Sequence, residues 1–92
     1  MRNPLRLPSA LKDTLHAVQT ALPHAQKASD ANREILELVL ELRNRDSDLS
    51  QVERAAMQQR IDELHVQVRR ENIAAERPYE ELSARHPDWV DY

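Results

Sequence analysis

The chain's 92 residues include no glycine. That absence limits the fold more than any motif present does. Glycine supplies the positive φ angles of tight turns and lets backbone approach phosphate closely. Without it the chain has no phosphate-binding loop, dinucleotide fingerprint, nucleophile elbow or EF-hand loop. Leu, Ala, Glu, Arg and Gln dominate the remainder, and these residues lose least on entering a helix. The expected fold is all-α.

A chain of this length makes one small domain and buries roughly 60–65% of its unfolded surface. Aromatic residues are only 3% of it, so the core must come from Leu, Ile and Val, with Tyr79, Trp89 and Tyr92 all near the C-terminus. No stretch approaches the ~20 apolar residues that span a bilayer. The N-terminal residues 1–8 have Arg2 and Arg6 but no apolar segment after them, which is not the pattern of a secretory signal. With no cysteine there is neither a disulfide framework nor a thiolate metal site, and a cytoplasmic protein is expected. The net charge of −3 is unevenly spread: residues 1–28 carry +3, residues 29–75 carry −3 and residues 76–92 carry −3. That balance does not favour a polyanion partner, and a positive start with an acidic end weakly favours antiparallel association.

Prolines and caps divide the chain. Pro4 and Pro8 predict an extended segment over 1–8, and Ser9 is an N-cap for a helix over 9–21 that Leu22-Pro23 ends. Its apolar stripe is Leu11, Leu15, Val18 and Leu22. Pro23 can open a second helix over 23–44, with a seam of Ala25, Ala28, Asn32, Ile35, Val39 and Leu42. Leu36, Leu38 and Leu40 lie outside that seam and widen the apolar arc, so this helix must touch more than one neighbour. Ser50-Gln51-Val52-Glu53 matches a capping box and predicts a third helix over 51–76 with a seam of Met57, Ile61, Leu64 and Val68. Pro78 then begins a short helix over 78–85, followed by a tail over 86–92. Two long helices joined by a short connection favour an antiparallel, coiled-coil-like hairpin. The helix over 9–21 would cover its remaining apolar surface, giving a small three-helix bundle with a single helical domain over 9–85.

Chemistry is hard to place on such a chain. Asp62-x-x-His65 resembles half of a di-metal carboxylate motif, but the other half is missing. Asp46-Ser47-Asp48 opens like a calcium loop, yet Gln51 and Met57 stand where a glycine and a bidentate glutamate are required. The serines fall at helix ends or in polar contexts, where capping accounts for them. Asp62-Glu63 and Glu80-Glu81 are sequence neighbours that point about 100° apart on a helix. No catalytic residue, metal site, cofactor or small-molecule substrate is expected, and the chain reads as a non-enzyme.

The leading expectation is a non-enzymatic protein-interaction module: a small adaptor, chaperone, assembly factor or inhibitor working through an apolar helical face. Partner-binding candidates are Leu36, Leu38, Leu40, Val66 and Ile73, because three short helices cannot hide them all. Trp89 and Tyr92 join them as aromatic anchors in the tail. Asn32, a polar residue at a seam position, would fix register or partner choice. The partner is another protein, a second copy, or both. Two alternatives differ in class. One is a nucleic-acid-binding regulator that uses the hairpin like a helix-turn-helix with Arg69 and Arg70 at the contact; the other is a purely structural coiled-coil oligomer. Gln58-Gln59-Arg60-Ile61-Asp62-Glu63-Leu64 resembles part of the long third helix of small export chaperones of flagellar and type III secretion systems. Small phage-encoded inhibitors share the size and helicity.

Overall fold

The computed structural model describes the backbone of residues 6–86 and the side chains of residues 10–86. Two helices account for nearly all of it: α1, Arg6–Asn44, and α2, Gln51–Arg85. They pack against each other as a long hairpin, 70 Å by 21 Å by 16 Å, and among the described residues there is no strand. All-α architecture and a hairpin built on the 45–50 connection are as the sequence predicts. The third helix is not a separate element. Residues 9–21, expected as an independent helix, are the first half of α1, and no three-helix bundle forms among the described residues.

Neither expected break at a proline occurs. Pro23 lies inside α1 and Pro78 inside α2. A helical proline forfeits one backbone hydrogen bond and crowds the carbonyl four residues back. Pro23 is on the exposed side of α1, where water can satisfy that carbonyl, and the packed face continues past it unbroken. Pro8 falls in the first turn of α1, where a missing N–H costs nothing. Helix therefore starts at Arg6 rather than at a Ser9 cap.

The connection follows the local signals closely. α1 ends in a turn in which Asp48 and Leu49 donate their N–H groups to the Arg45 carbonyl at 3.0 and 3.1 Å. Among the described residues no φ is positive, so both helices end without the left-handed residue that glycine usually supplies. Ser50 has extended backbone, and its hydroxyl accepts from the Glu53 N–H at 3.1 Å. The Glu53 carboxylate accepts from the Ser50 N–H at 3.3 Å, completing the predicted capping box. Arg54 clamps the turn, pairing with the Asp46 carboxylate at 3.0 Å and donating to the Asp46 carbonyl. Leu49 folds inward and is buried.

The interface is narrow. On α1 the packed positions run Ala17, Ala21, His24, Ala28, Ala31, Ile35, Leu38 and Leu42, alternating steps of three and four residues. On α2 they run Met57, Ile61, Leu64, Val68, Glu71, Ala75, Pro78 and Leu82 with the same alternation. This is the seam of an antiparallel coiled coil. Large apolar groups gather toward the turn: Ala31, Ile35, Ile61 and Leu64 form the buried cluster, with Leu38, Leu42 and Val68 against it. Toward the open end the apolar residues that α1 offers are alanines, and polar pairs bridge the helices. His24 Nδ1 is 2.6 Å from the Glu71 carboxylate, and His86 Nε2 is 2.9 Å from that of Asp13.

The α2 seam matches the expected one. The α1 seam does not. Ala25, Asn32 and Val39 are exposed, and His24, Ala31 and Leu38 take their places in the interface. Leu11, Leu15, Val18 and Leu22, expected to face the core, point away from α2.

Candidate partner-binding surface

Each member of this exposed set sits one residue beyond a packed one. Ala10, Thr14, Ala17 and Ala21 lie on the α2 side of α1, and Leu11, Leu15, Val18 and Leu22 follow them. One residue turns a helix by about 100°, so α1 carries two apolar stripes side by side. Further along, Leu36 and Val39 stand in the same relation to Ile35 and Leu38. The first stripe is spent on α2. The second is open: Leu11 is 60% exposed, Leu15 58%, Leu22 51% and Leu36 57%, while Ala21 is 2% exposed.

The inversion of size is the main structural finding. In the first half of α1 the small residues are inside and the large ones outside. Alanine at the interface lets the two backbones come close, and the Thr14 hydroxyl that falls there is satisfied by the Ala10 carbonyl at 2.9 Å. The His24–Glu71 and Asp13–His86 pairs then hold the helices in register. Together these contacts fix which face of α1 meets α2, and they commit the leucines to the outside.

The sequence candidates scatter over several faces. Leu36 belongs to the open stripe and Leu40, 44% exposed, flanks it. Leu38 is half-buried against the core cluster. Val66 and Ile73 are exposed on the side of α2 turned away from α1, together with Val52. Asn32 is exposed and falls within the open stripe, between Leu22 and Leu36. Trp89 and Tyr92 lie outside the described residues. Arg69 and Arg70 are exposed on α2, whose partner helix runs antiparallel beside it rather than across it as in a helix-turn-helix. Leu11, Leu15, Val18 and Leu22 were missing from the candidate surface. The signal for them was available: carried through Pro23, the alanines of α1 fall in phase with Ile35, Leu38 and Leu42, and the leucines do not.

Polar features around the surface are modest. Arg60 reaches from α2 to Glu34 on α1, with Nε–Oε2 at 2.7 Å and Nη2–Oε1 at 3.3 Å. These hydrogen bonds, with the attraction between the charges, hold the Glu34 carboxyl below its ordinary pKa and the Arg60 guanidinium above its own. An open groove near the turn is lined by Val39, Leu42, Arg43, Asp46, Gln58 and Ile61. Among the described residues no three His, Cys, Asp or Glu side chains gather as a metal-binding group. No described helix is long and apolar enough to cross a membrane. No family model, curated protein or solved structure matches the chain.

Proposed function

We propose that the chain is a non-enzymatic protein-interaction module that works in the cytoplasm as an adaptor, chaperone, assembly factor or inhibitor. Its binding element is the open stripe of α1. One observation carries this reading: Leu11, Leu15, Val18 and Leu22, and further along Leu36 and Val39, project to solvent on one face of α1, while alanines fill the interface over the first half of that helix. A line of exposed leucines at helical spacing is the surface that helix-in-groove and helix-on-helix recognition uses. Leu11, Leu15, Val18, Leu22, Leu36 and Val39 are the contact residues, and Asn32 within the stripe restricts which partner face fits.

The test is a double change, Leu15→Glu with Leu36→Glu, in tagged chain used to capture partners from native lysate with and without nuclease. Circular dichroism should show helicity intact, because both side chains are more than half exposed. A stoichiometric protein partner that survives nuclease and is lost with the double change is the expected result. Recovery that depends on nucleic acid, or a double variant that unfolds, would overturn the reading.

A further inference from the structure

A compact monomer of this 10.7 kDa mass exposes about 5,500 Å², whereas the chain exposes 7527 Å². The surplus is about 2,000 Å² per chain, and obligate homodimer interfaces take up roughly 2,000–5,000 Å² from the two chains together. The elongated hairpin therefore has surface enough for an interface of that size.

Two further features of α1 say whose helix that is. Large residues occupy both ends of the stripe, Leu11 to Leu22 and Leu36 to Val39, with the small Ala25 and Ser29 between them. An antiparallel two-fold axis beside residue 27 sets Leu15 against Val39 of the second copy, Val18 against its Leu36, and Ala25 against its Ser29. Two pairs are unlike: Asn32 meets Leu22, and Leu11 at the end of the stripe meets Arg43. The same axis overlaps nearly all of Arg6–Asn44 on both chains. Charge agrees with this direction. Residues 6–27 carry +2 and residues 28–44 carry −2, so antiparallel copies place opposite charges side by side and parallel copies place like charges together. The helix dipoles also favour the antiparallel arrangement.

We propose that the open stripe of α1 is a homodimer seam, packed antiparallel against the same stripe of a second copy. Four helices result, with the two α1 helices paired at the centre. The second seam lies about 100° around α1 from the first, so α2 leaves it clear. This inference rests on the reading of the stripe as a binding surface and names its occupant.

Sedimentation equilibrium on the full chain tests it, with twice 10.7 kDa as the expected mass and the monomer mass expected for Leu15→Glu with Leu36→Glu. The chain has no cysteine, so single-cysteine variants report direction. An equimolar mixture of Leu15→Cys and Val39→Cys in a thiol–disulfide buffer should cross-link between the two species, and Leu15→Cys alone should not. A wild-type chain that stays monomeric overturns the proposal. So does a dimer that tolerates both glutamates, or a Leu15→Cys homodimer bridge, which signals parallel chains. If the monomer instead captures one protein through the stripe, the second copy is excluded and the interaction reading stands. If Trp89 emission in a monomeric chain shifts with the stripe substitutions, the tail is the occupant and both readings fall.

Discussion

Arg60 reaches across the hairpin to hold Glu34 with two hydrogen bonds, and both side chains remain largely in water. The folded state lowers the Glu34 pKa. A lowered carboxyl pKa contributes stability above the unfolded value, and that contribution is lost as pH falls through the folded value. The titration midpoint of Glu34, followed by the NMR shift of its carboxyl carbon, should lie below the ordinary glutamate range and rise toward it in Arg60→Gln. An unchanged midpoint would show that another group sets it. His24 and Glu71 present the opposite case, because they occupy packed positions where apolar residues would serve. Replacing a polar pair at packed positions by hydrophobic residues is often neutral or stabilising by ~1 kcal/mol or more. His24→Leu combined with Glu71→Leu should therefore raise the melting temperature by about 4–8 °C per kcal/mol. A lower melting temperature would mean that the pair contributes more than packing there can.

At the scale of elements, two features of the helices are separable by mutation. The Ser50–Glu53 capping box satisfies free N–H groups at the start of α2. Ser50→Ala should cost about 1 kcal/mol in urea unfolding. Pro23 acts in the other sense, since it withholds one hydrogen bond in the middle of α1. Pro23→Ala restores a donor to the Gln19 carbonyl and should stabilise the chain by about 1–3 kcal/mol. A lower urea midpoint in that variant would show that the proline shapes α1 for its contact with α2. The capping box was legible in the sequence because it is local, four residues long and independent of anything distant. The fate of Pro23 was not, because a proline that begins a helix and one that interrupts it look alike in sequence. What separates them is whether the packed face on either side is in phase.

For the whole molecule, the choice of which α1 face meets α2 is the property that matters most, and adjacent residues report on it. Ala21 is buried between the helices and Leu22 next to it is half exposed. Ala21→Leu should wedge the hairpin apart and cost about 1–3 kcal/mol, whereas Leu22→Ala in a monomeric background should change the melt little. The reverse order of effects in thermal melts would show that the leucine stripe is the inner one.

Legible in the chain alone are the helical class, the position of the connection, the capped start of α2 and the seam Met57, Ile61, Leu64 and Val68. All of these follow from composition and short-range spacing. Helix propensity and capping act within a few residues, and α2 has one apolar face to choose. The inner face of α1 was settled by long-range contacts. This helix has two apolar stripes about 100° apart, and hydrophobicity alone favours the leucines over the alanines. The interface took the alanines because close backbone approach, in-phase continuity with Ile35, Leu38 and Leu42, and the His24–Glu71 and Asp13–His86 pairs all require that face. Those contacts join residues 47 and 73 positions apart, and no local pattern carries them.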